Sequence, residues 1–392
     1  MKIALLSDCY LPRLGGIEVQ VHDLAGRLMG RGHEVVVFTA TPGSRGERGG
    51  FLDEVDGVTV HRLALRLPFE LPVNPLAPGL MRERLIGGGF DVAHVHMGVV
   101  SPFAVDCTRV TTDLGLPTAM TWHCMIGRLE PAIRAAGYVR GWADLGVAMN
   151  AVSAVAAEPL QRMVGAGSVV NVLSNGIDVD RWAMPGGQAS VREPGDGLRV
   201  VTAMRLASRK RPIPLLRIMA RVRALVPADI GISVEIFGDG PDRGRLGRFI
   251  AAHDLAGWVA LPGRVTREEL REKYAASDVF VAPAPLESFG IAALEARTVG
   301  LPVVGRRGSG VQEFVTDGLN GYLAASDGAM ADCLARLATD NGLLASMTAY
   351  NRGTPPEQSW DRVLDRAEAE YRRAVALAAE GPASGSARGN GS

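Results

Sequence analysis

Residues 2–39 read KIALLSDCYLPRLGGIEVQVHDLAGRLMGRGHEVVVFT. The apolar run KIALLS stops at Ser7-Asp8, and a Gly-Gly turn follows at 15–16. Ile17, Val21, Leu24, Ala25 and Leu28 then recur at helical spacing until Gly32, after which EVVVFTA opens a second apolar run. Strand, helix and strand in that order build a parallel sheet covered by helices. The alternation continues through VTVHRL, VAHVH, PTAMTWH, GVAMNAV and VVNVLSNG. Residues 183–198, AMPGGQASVREPGDGL, interrupt it with proline, glycine and charge, as a linker does. A second series then runs RVVTAMR, SVEIFGDG, VALPG, VFVAPAP and PVVGRR.

The fold class expected is therefore α/β, with two Rossmann-like doubly wound domains over 1–182 and 199–354. After Pro355-Pro356, residues 360–380 place Trp360, Val363, Leu364, Ala367, Tyr371 and Val375 on one helical stripe. A helix over 355–380 is expected to pack on the first domain, ahead of a flexible tail over 381–392. Ligands of doubly wound sheets lie at the carboxyl ends of the strands, so an interdomain cleft is the expected site.

Composition narrows the function. The 392 residues are 47% hydrophobic, which suits folded domains rather than disorder. Forty-two basic residues balance forty-two acidic ones, so no global field draws nucleic acid or an anionic bilayer. Cys9, Cys107, Cys124 and Cys333 are scattered with no Cys-x-x-Cys pair, which speaks against a zinc site or a disulfide framework. The first apolar run is too short for a secretory signal, and no run has the length of a membrane span. A cytoplasmic location is expected, with a weak peripheral contact at the inner membrane face left open. Arg62, Arg66, Arg82 and Arg84 around LPFELPVNPLAPGLM would supply that contact, or else form a solvated surface beside an acceptor loop.

The chemistry gathers in PLESFGIAALEA, residues 285–296. Phe289 to Gly300 has helical character, so Glu287 stands just before a helix and Glu295 inside it, within roughly 80° of one face. The amides of Phe289, Gly290 and Ile291 at the helix start suit an anion. A carboxylate at the same place suits sugar hydroxyls, because it only accepts hydrogen bonds. The structural alternative is a glutamate that complements the helix dipole and another exposed on the helix. Arg205 and Lys210, in MRLASRKRP after the first strand of the second half, are a cationic pair of the kind a diphosphate needs, or else a basic surface loop. Gly15 and Gly16 either admit a ligand to the backbone or form a tight turn. FGDGPDRG at 237–244 lacks the spacing of a dinucleotide fingerprint. His123 ends a strand at the cleft-facing edge, whereas His94, alternating with His96, reads as structural.

Together, GGIE, SNGID, the Arg205/Lys210 pair, GDGP, ESFGIAALE and SGVQEFVTDGLNGYL resemble the retaining glycosyltransferases of family 4, whose two-domain architecture is called GT-B. The resemblance covers nearly all of residues 1–375. GGIEVQVHDLAGRLMGRGHEV looks most like the branch holding the GPI N-acetylglucosaminyltransferase catalytic subunit and phosphatidylinositol mannosyltransferases. It implies a nucleotide sugar, UDP- or GDP-linked, as donor, an acceptor that is a small molecule or a lipid, and neither a cofactor nor a metal. By position, Glu287 would touch the sugar's 3- and 4-hydroxyls with Ser288 and the amides of Phe289, Gly290 and Ile291 beside it. Glu295 would hold the ribose, Arg205 and Lys210 the diphosphate, and main chain near Arg264 and Val265 the base. Gly16 would lie against the donor near the anomeric centre, with Gly15 also among the donor-binding residues, and His123 near the sugar's 6-hydroxyl. Three departures stand out: Met204 and Arg211 occupy usual glycine positions, and Ala284 a usual serine. Two other readings share the two-lobed architecture, a sugar-nucleotide 2-epimerase and a non-catalytic sugar-binding protein.

Overall fold

The computed structural model describes residues 1–13, 15–43, 50–64, 74–184 and 197–381. The chain divides into two units, one of Met1–Gly176 together with the chain from Trp360, the other of Ile177–Ser359.

In the first unit the strands are β1 (Lys2–Ser7), β2 (Glu34–Thr39), β3 (Phe51–Val55), β4 (Val58–Arg62), β5 (Val92–Met97), β6 (Thr118–Trp122), β7 (Ala148–Ala151) and β8 (Asn171–Val172). Their order is β3-β4-β2-β1-β5-β6-β7-β8. Every pairing is parallel except β3 with β4. Alternate residues of β1 feed two cores. Ile3 and Leu5 face a cluster with Val21, Leu24 and Leu28 of helix Gly16–Gly30 and with Trp360, Val363, Ala367 and Tyr371 of helix Trp360–Glu380. Ala4 and Leu6 face the other, with Phe103 and Cys107 of helix Pro102–Asp113. A strand buried on both faces must be apolar at consecutive positions, which is why these runs do not alternate.

The second unit holds β9 (Leu198–Ala203), β10 (Ile232–Phe237), β11 (Val259–Gly263), β12 (Val279–Ala282), β13 (Val303–Arg306) and β14 (Gly321–Ala324), in the order β11-β10-β9-β12-β13-β14. All pairings are parallel. The chain reverses its direction of winding between β1 and β5 in the first sheet and between β9 and β12 in the second. Those are the points at which such sheets open a crevice for ligands.

Several expectations shift. Val375 is 40% exposed while Ala374 is buried. At about 100° per residue, position 375 falls about 60° from Trp360, beyond Leu364 on the same side, at the margin of the stripe. Residues 177–182 join the second unit rather than the first, since the Trp182 ring lies tilted against Tyr274, Arg181 pairs with Glu268, and Arg271 donates to the Ala183 carbonyl. The greater part of the expected linker (residues 185–196) and of the tail (382–392) lies outside the described residues, as do Arg66 and residues 67–73 of the supposed lipid-facing loop. Arg62 cannot serve that surface: it is buried, paired with Asp53 at 2.6 Å, and donates to the Thr41 and Pro42 carbonyls. Arg82 pairs with Asp113 at 2.9 Å, and Arg84 is half-buried. Among the described residues no helix is long and apolar enough to cross a membrane.

Candidate active site

Both cations and both glutamates follow from strands at the switch point of the second sheet. β9 runs out at Ala203, and the chain turns through Met204 and Arg205 into a short 3-10 turn, Ser208–Lys210. β12 runs out at Ala282 and leads through Pro283–Gly290 into helix Ile291–Val299. Because β9 and β12 are hydrogen-bonded neighbours, these two exits lie side by side. Lys210 Nζ stands 2.5 Å from Glu287 Oε2, with both side chains partly shielded from solvent. A cation from one strand exit and a carboxylate from the other thus meet at the carboxyl edge of the sheet.

The loops that carry them are fixed by backbone contacts. Gly310 donates its amide to the Glu287 carbonyl at 2.7 Å, and its Cα lies so near the Ser288 carbonyl that a Cβ would come within 2.1 Å of it. Gly290 caps the helix in the left-handed region, φ 94°, where a side chain would be strained and would also press on Val311. That turn delays the helix to Ile291, two residues after its expected start, so Glu295 sits about one turn in. Among the described residues no hydrogen bond engages the amides of Phe289, Gly290 or Ile291, and the positive end of the helix lies there. The Phe289 ring packs against Phe314, and Ser288 is buried below.

Glu295 is 9% exposed and lies near Tyr274, whose phenol is pushed far up by burial and by that carboxylate. Arg205 is exposed and makes no ion pair among the described residues. The structure therefore joins Lys210 to Glu287 directly, while Arg205 shares the loop of Lys210 and, among the described residues, makes no ion pair with either glutamate. Arg264 and Val265 follow β11, the first exposed and the second half-buried, just ahead of the Thr266/Glu269 capping box. The GDGP loop braces the residues on either side of Arg205: Leu206 donates to the Asp239 carbonyl, Asp242 donates to the Leu206 carbonyl, and a Cβ on Gly238 would strike the Met204 carbonyl.

Arg211, where the resembling sequences usually have glycine, does adopt the left-handed conformation, φ 61°. Its guanidinium holds both oxygens of Asp327 at 2.8 Å and the Pro283 carbonyl at 3.2 Å. That bond, first among the causes, keeps the Asp327 carboxyl below its ordinary range. The side chain so ties the Lys210 turn to the exit of β12.

In the first unit, Gly15 caps helix Gly16–Gly30 and Gly16 is its first residue. The helix start is already served by its own anion: Glu18 crowds Gly15, where a Cβ would lie 2.3 Å from Glu18 Oε2, and pairs with Arg13 at 3.3 Å. A phosphate placed there would meet that negative charge, so the Gly15-Gly16 turn suits a neutral group better. His123 follows β6, is 8% exposed, and its Nε2 lies 2.9 Å from His96 Nδ1. Burial lowers its pKa to about 4, so the ring is neutral at physiological pH. The alternating His-x-His of β5 was the signal for His96, and the Gly-Ser-Gly at 308–310 was the signal for Gly310. Nothing in the local pattern announced the Arg211–Asp327 contact. Among the described residues, no group of three His, Cys, Asp or Glu side chains stands as a metal would require.

Residues 14–181 match the model described as Glycosyltransferase Family 4, and residues 188–354 match Glycosyl transferases group 1. A D-inositol 3-phosphate glycosyltransferase of Saccharomonospora viridis is 30% identical, over 92% of this chain and 90% of the relative. The phosphatidylinositol N-acetylglucosaminyltransferase gpi3 subunit of Schizosaccharomyces pombe is 25% identical, over 94% of this chain and 79% of its own length. A GDP-mannose-dependent phosphatidylinositol monomannoside mannosyltransferase of Mycolicibacterium smegmatis is 29% identical, over 84% and 86%. Among solved structures, Anabaena HepE in complex with UDP and glucose superposes with a TM-score of 0.72 at 17% identity, covering 94% of this chain and 98% of that one. Sucrose-phosphate synthase of Thermosynechococcus elongatus gives 0.72 at 19% identity, covering 96% and 99%. These likenesses identify the architecture as GT-B.

Proposed function

The chain belongs to glycosyltransferase family 4, and from that premise we propose that it moves a hexosyl group from a UDP- or GDP-linked sugar to an acceptor hydroxyl, with retention of configuration and without a metal. The observation that carries this reading is the 2.5 Å contact of Lys210 with Glu287 at the switch point of the second sheet, beside the amides of a helix start. An ammonium has three hydrogens to donate. Lys210 can hold Glu287 with one and turn the others to the diphosphate, while the second oxygen of Glu287 accepts from sugar hydroxyls.

In this reading, negative charge grows on the departing phosphate oxygen as the bond to the anomeric carbon breaks. Lys210, Arg205 and the amides of Phe289, Gly290 and Ile291 stabilise it more in the transition state than before. Glu295 takes the ribose hydroxyls, and main chain at Arg264 and Val265 takes the base. The acceptor hydroxyl attacks the anomeric carbon from the side the phosphate leaves and gives its proton to that phosphate, so no carboxylate acts as nucleophile. Gly16, with Gly15 beside it, meets the neutral sugar at the backbone, and His123 meets its 6-hydroxyl. Three relatives carry inositol in their names. That shared feature supports an inositol-bearing acceptor, either a soluble phosphate or a lipid. A lipid acceptor would bring the enzyme to a membrane surface, and no observation favours the epimerase or the binding protein.

The test is a thermal-shift screen of the full chain against UDP- and GDP-hexoses, followed by incubation with inositol phosphate or with phosphatidylinositol vesicles. A donor that binds raises the melting point by mass action, and a glycosylated inositol compound with release of nucleoside diphosphate is the expected product. Stabilisation by no nucleotide sugar would overturn the donor assignment.

A further inference from the structure

On one face of the second unit, helices Pro212–Leu225 and Arg243–Ala252 border an open groove of about 450 Å³. Ile213 and Arg217 of the first helix line one side. Arg245, Arg248 and Phe249, three or four residues apart and so on one helical face, line the other, with His253 just beyond the helix. The lining holds three exposed arginines and no carboxylate. The arginines of these two helices fall into two sets. Those outside the groove are engaged: Arg221 pairs with Asp332 at 3.5 Å, Arg223 donates to the carbonyls of Val226, Pro227 and Ile230, and Arg243 donates to the Leu261 carbonyl at 3.0 Å. Those inside make no ion pair among the described residues, and the acceptor that Arg248 Nε finds is a carbonyl of its own helix, Gly244, at 3.4 Å. Acidic residues equal basic ones in this chain, yet none meets these three cations.

The aromatic part of the groove is held in place. The Phe249 and His253 rings stack with 3.9 Å between centroids and 15° between planes, and Arg217 Cζ lies 5.8 Å from the Phe249 centroid. His253 Nδ1 is 2.9 Å from the Phe249 carbonyl, which only accepts, so the ring carries a hydrogen there. Its Nε2 has no partner among the described residues. That nitrogen can take the hydrogen of a P–OH group or, protonated, donate to a phosphate oxygen.

Guanidinium groups are planar forks that match phosphate oxygens two at a time. Like charges gathered on one surface repel, and an anion that bridges them removes the repulsion. The space is in the range of small-molecule sites, roughly 300–1,000 Å³, and so exceeds what a bare phosphate fills. We propose that this groove binds a soluble phosphate monoester, with Arg217, Arg245 and Arg248 on the phosphate and the organic body against Phe249 and His253. A bilayer surface suits it less, because Ile213 is buried and Phe249 half-buried, so neither stands out to enter acyl chains. The groove shares no residue with those assigned to the nucleotide sugar, so it stands or falls apart from the transfer reaction.

The experiment titrates phenyl phosphate, with phenol as its uncharged counterpart, into the full chain labelled with ¹⁵N-histidine, read by calorimetry and by NMR. The wild type should bind phenyl phosphate saturably, and the His253 ring signals should move along the same curve, whereas phenol should do neither. Arg245→Gln/Arg248→Gln removes two exposed charges without touching the core. It should weaken binding by about a hundredfold, roughly tenfold for each charged hydrogen bond lost. Lys210→Ala should bind phenyl phosphate as the wild type does, which separates the groove from the donor loops. In a second arm, vesicles of phosphatidylinositol in phosphatidylcholine should sediment equal amounts of wild type and double variant. No saturable binding, equal binding of phenol, undiminished binding in the double variant or loss of binding in Lys210→Ala would overturn the proposal. So would vesicle sedimentation that the double variant loses, since the arginines would then belong to a bilayer contact.

Discussion

Lys210 and Arg205 share a loop but differ in what they touch, and their substitution should separate stability from activity. Arg205 is exposed and makes no ion pair among the described residues, so Arg205→Ala should change unfolding free energy by less than about 0.5 kcal/mol. If it stabilises the departing diphosphate, the same change lowers turnover by a hundredfold or more, about 2.7–4 kcal/mol. Urea denaturation beside steady-state kinetics reads both. Lys210→Ala should lose as much activity and also leave Glu287 without its cation. Gly310→Ala belongs at this scale too: its Cβ would lie 2.1 Å from the Ser288 carbonyl, backbone against backbone. The loop bearing Glu287 must then move, so the donor's KM should rise along with a loss of stability. The placement of Arg205, Lys210 and Glu287 at strand exits was legible because each follows a recognisable strand with chemistry that apolar packing does not explain. Gly310 was marked only by the Gly-Ser-Gly at 308–310, which announces a turn but not the close approach to the Ser288 carbonyl.

At the scale of elements, the left-handed Arg211 offers a comparison that magnitudes decide. A non-glycine residue in that conformation costs roughly 1–2 kcal/mol. Its pair with Asp327 is partly exposed and contributes at most about 1 kcal/mol. Arg211→Gly relieves the first and loses the second, whereas Arg211→Ala only loses, so the glycine variant should be the more stable by about 1 kcal/mol in urea titrations. The final helix is anchored by Trp360, which is buried and so close to Gly176 that a Cβ there would lie 2.4 Å from the indole. Trp360→Ala should cost about 3–5 kcal/mol, measured by denaturant midpoint. The interior strands were readable because burial on both faces makes them uninterrupted apolar runs. The edge strands β3 and β14 escaped for the converse reason. FLDEV is half exposed, and GYLA is four residues with a glycine, so neither carries the density of branched side chains that marks a central strand. The helix start at Ile291 was displaced by the left-handed Gly290, a conformation that glycine permits but does not announce.

For the whole molecule, the buried histidines set the response to acid. His94 has its pKa lowered to about 3 and His123 to about 4, with His96 also well below the ordinary value, all by burial first. The unfolded chain binds protons below 6.5 that the folded chain refuses, so stability is intact above 6.5 and declines as pH falls toward 4. Asp8 works in the opposite sense. Burial raises its carboxyl from 3.8 to about 6, so it contributes stability at low pH that is lost as pH rises through that window. Three imidazoles outweigh one carboxyl, and the urea midpoint should drop on acidification through this range. The two-sheet architecture was legible from alternation alone. The division after Gly176 was not, because residues 177–182 join the second unit through side-chain contacts that no local pattern displays. The most direct measurement is release of nucleoside diphosphate from the UDP- or GDP-hexose that stabilises the protein, comparing wild type with Lys210→Ala and Glu287→Ala at matched folded concentration. Transfer in the wild type and a loss of about a hundredfold or more in both variants, with folding retained, is the expected result. Undiminished release in either variant would contradict the assignment of the Lys210–Glu287 pair to the transferred sugar and its diphosphate.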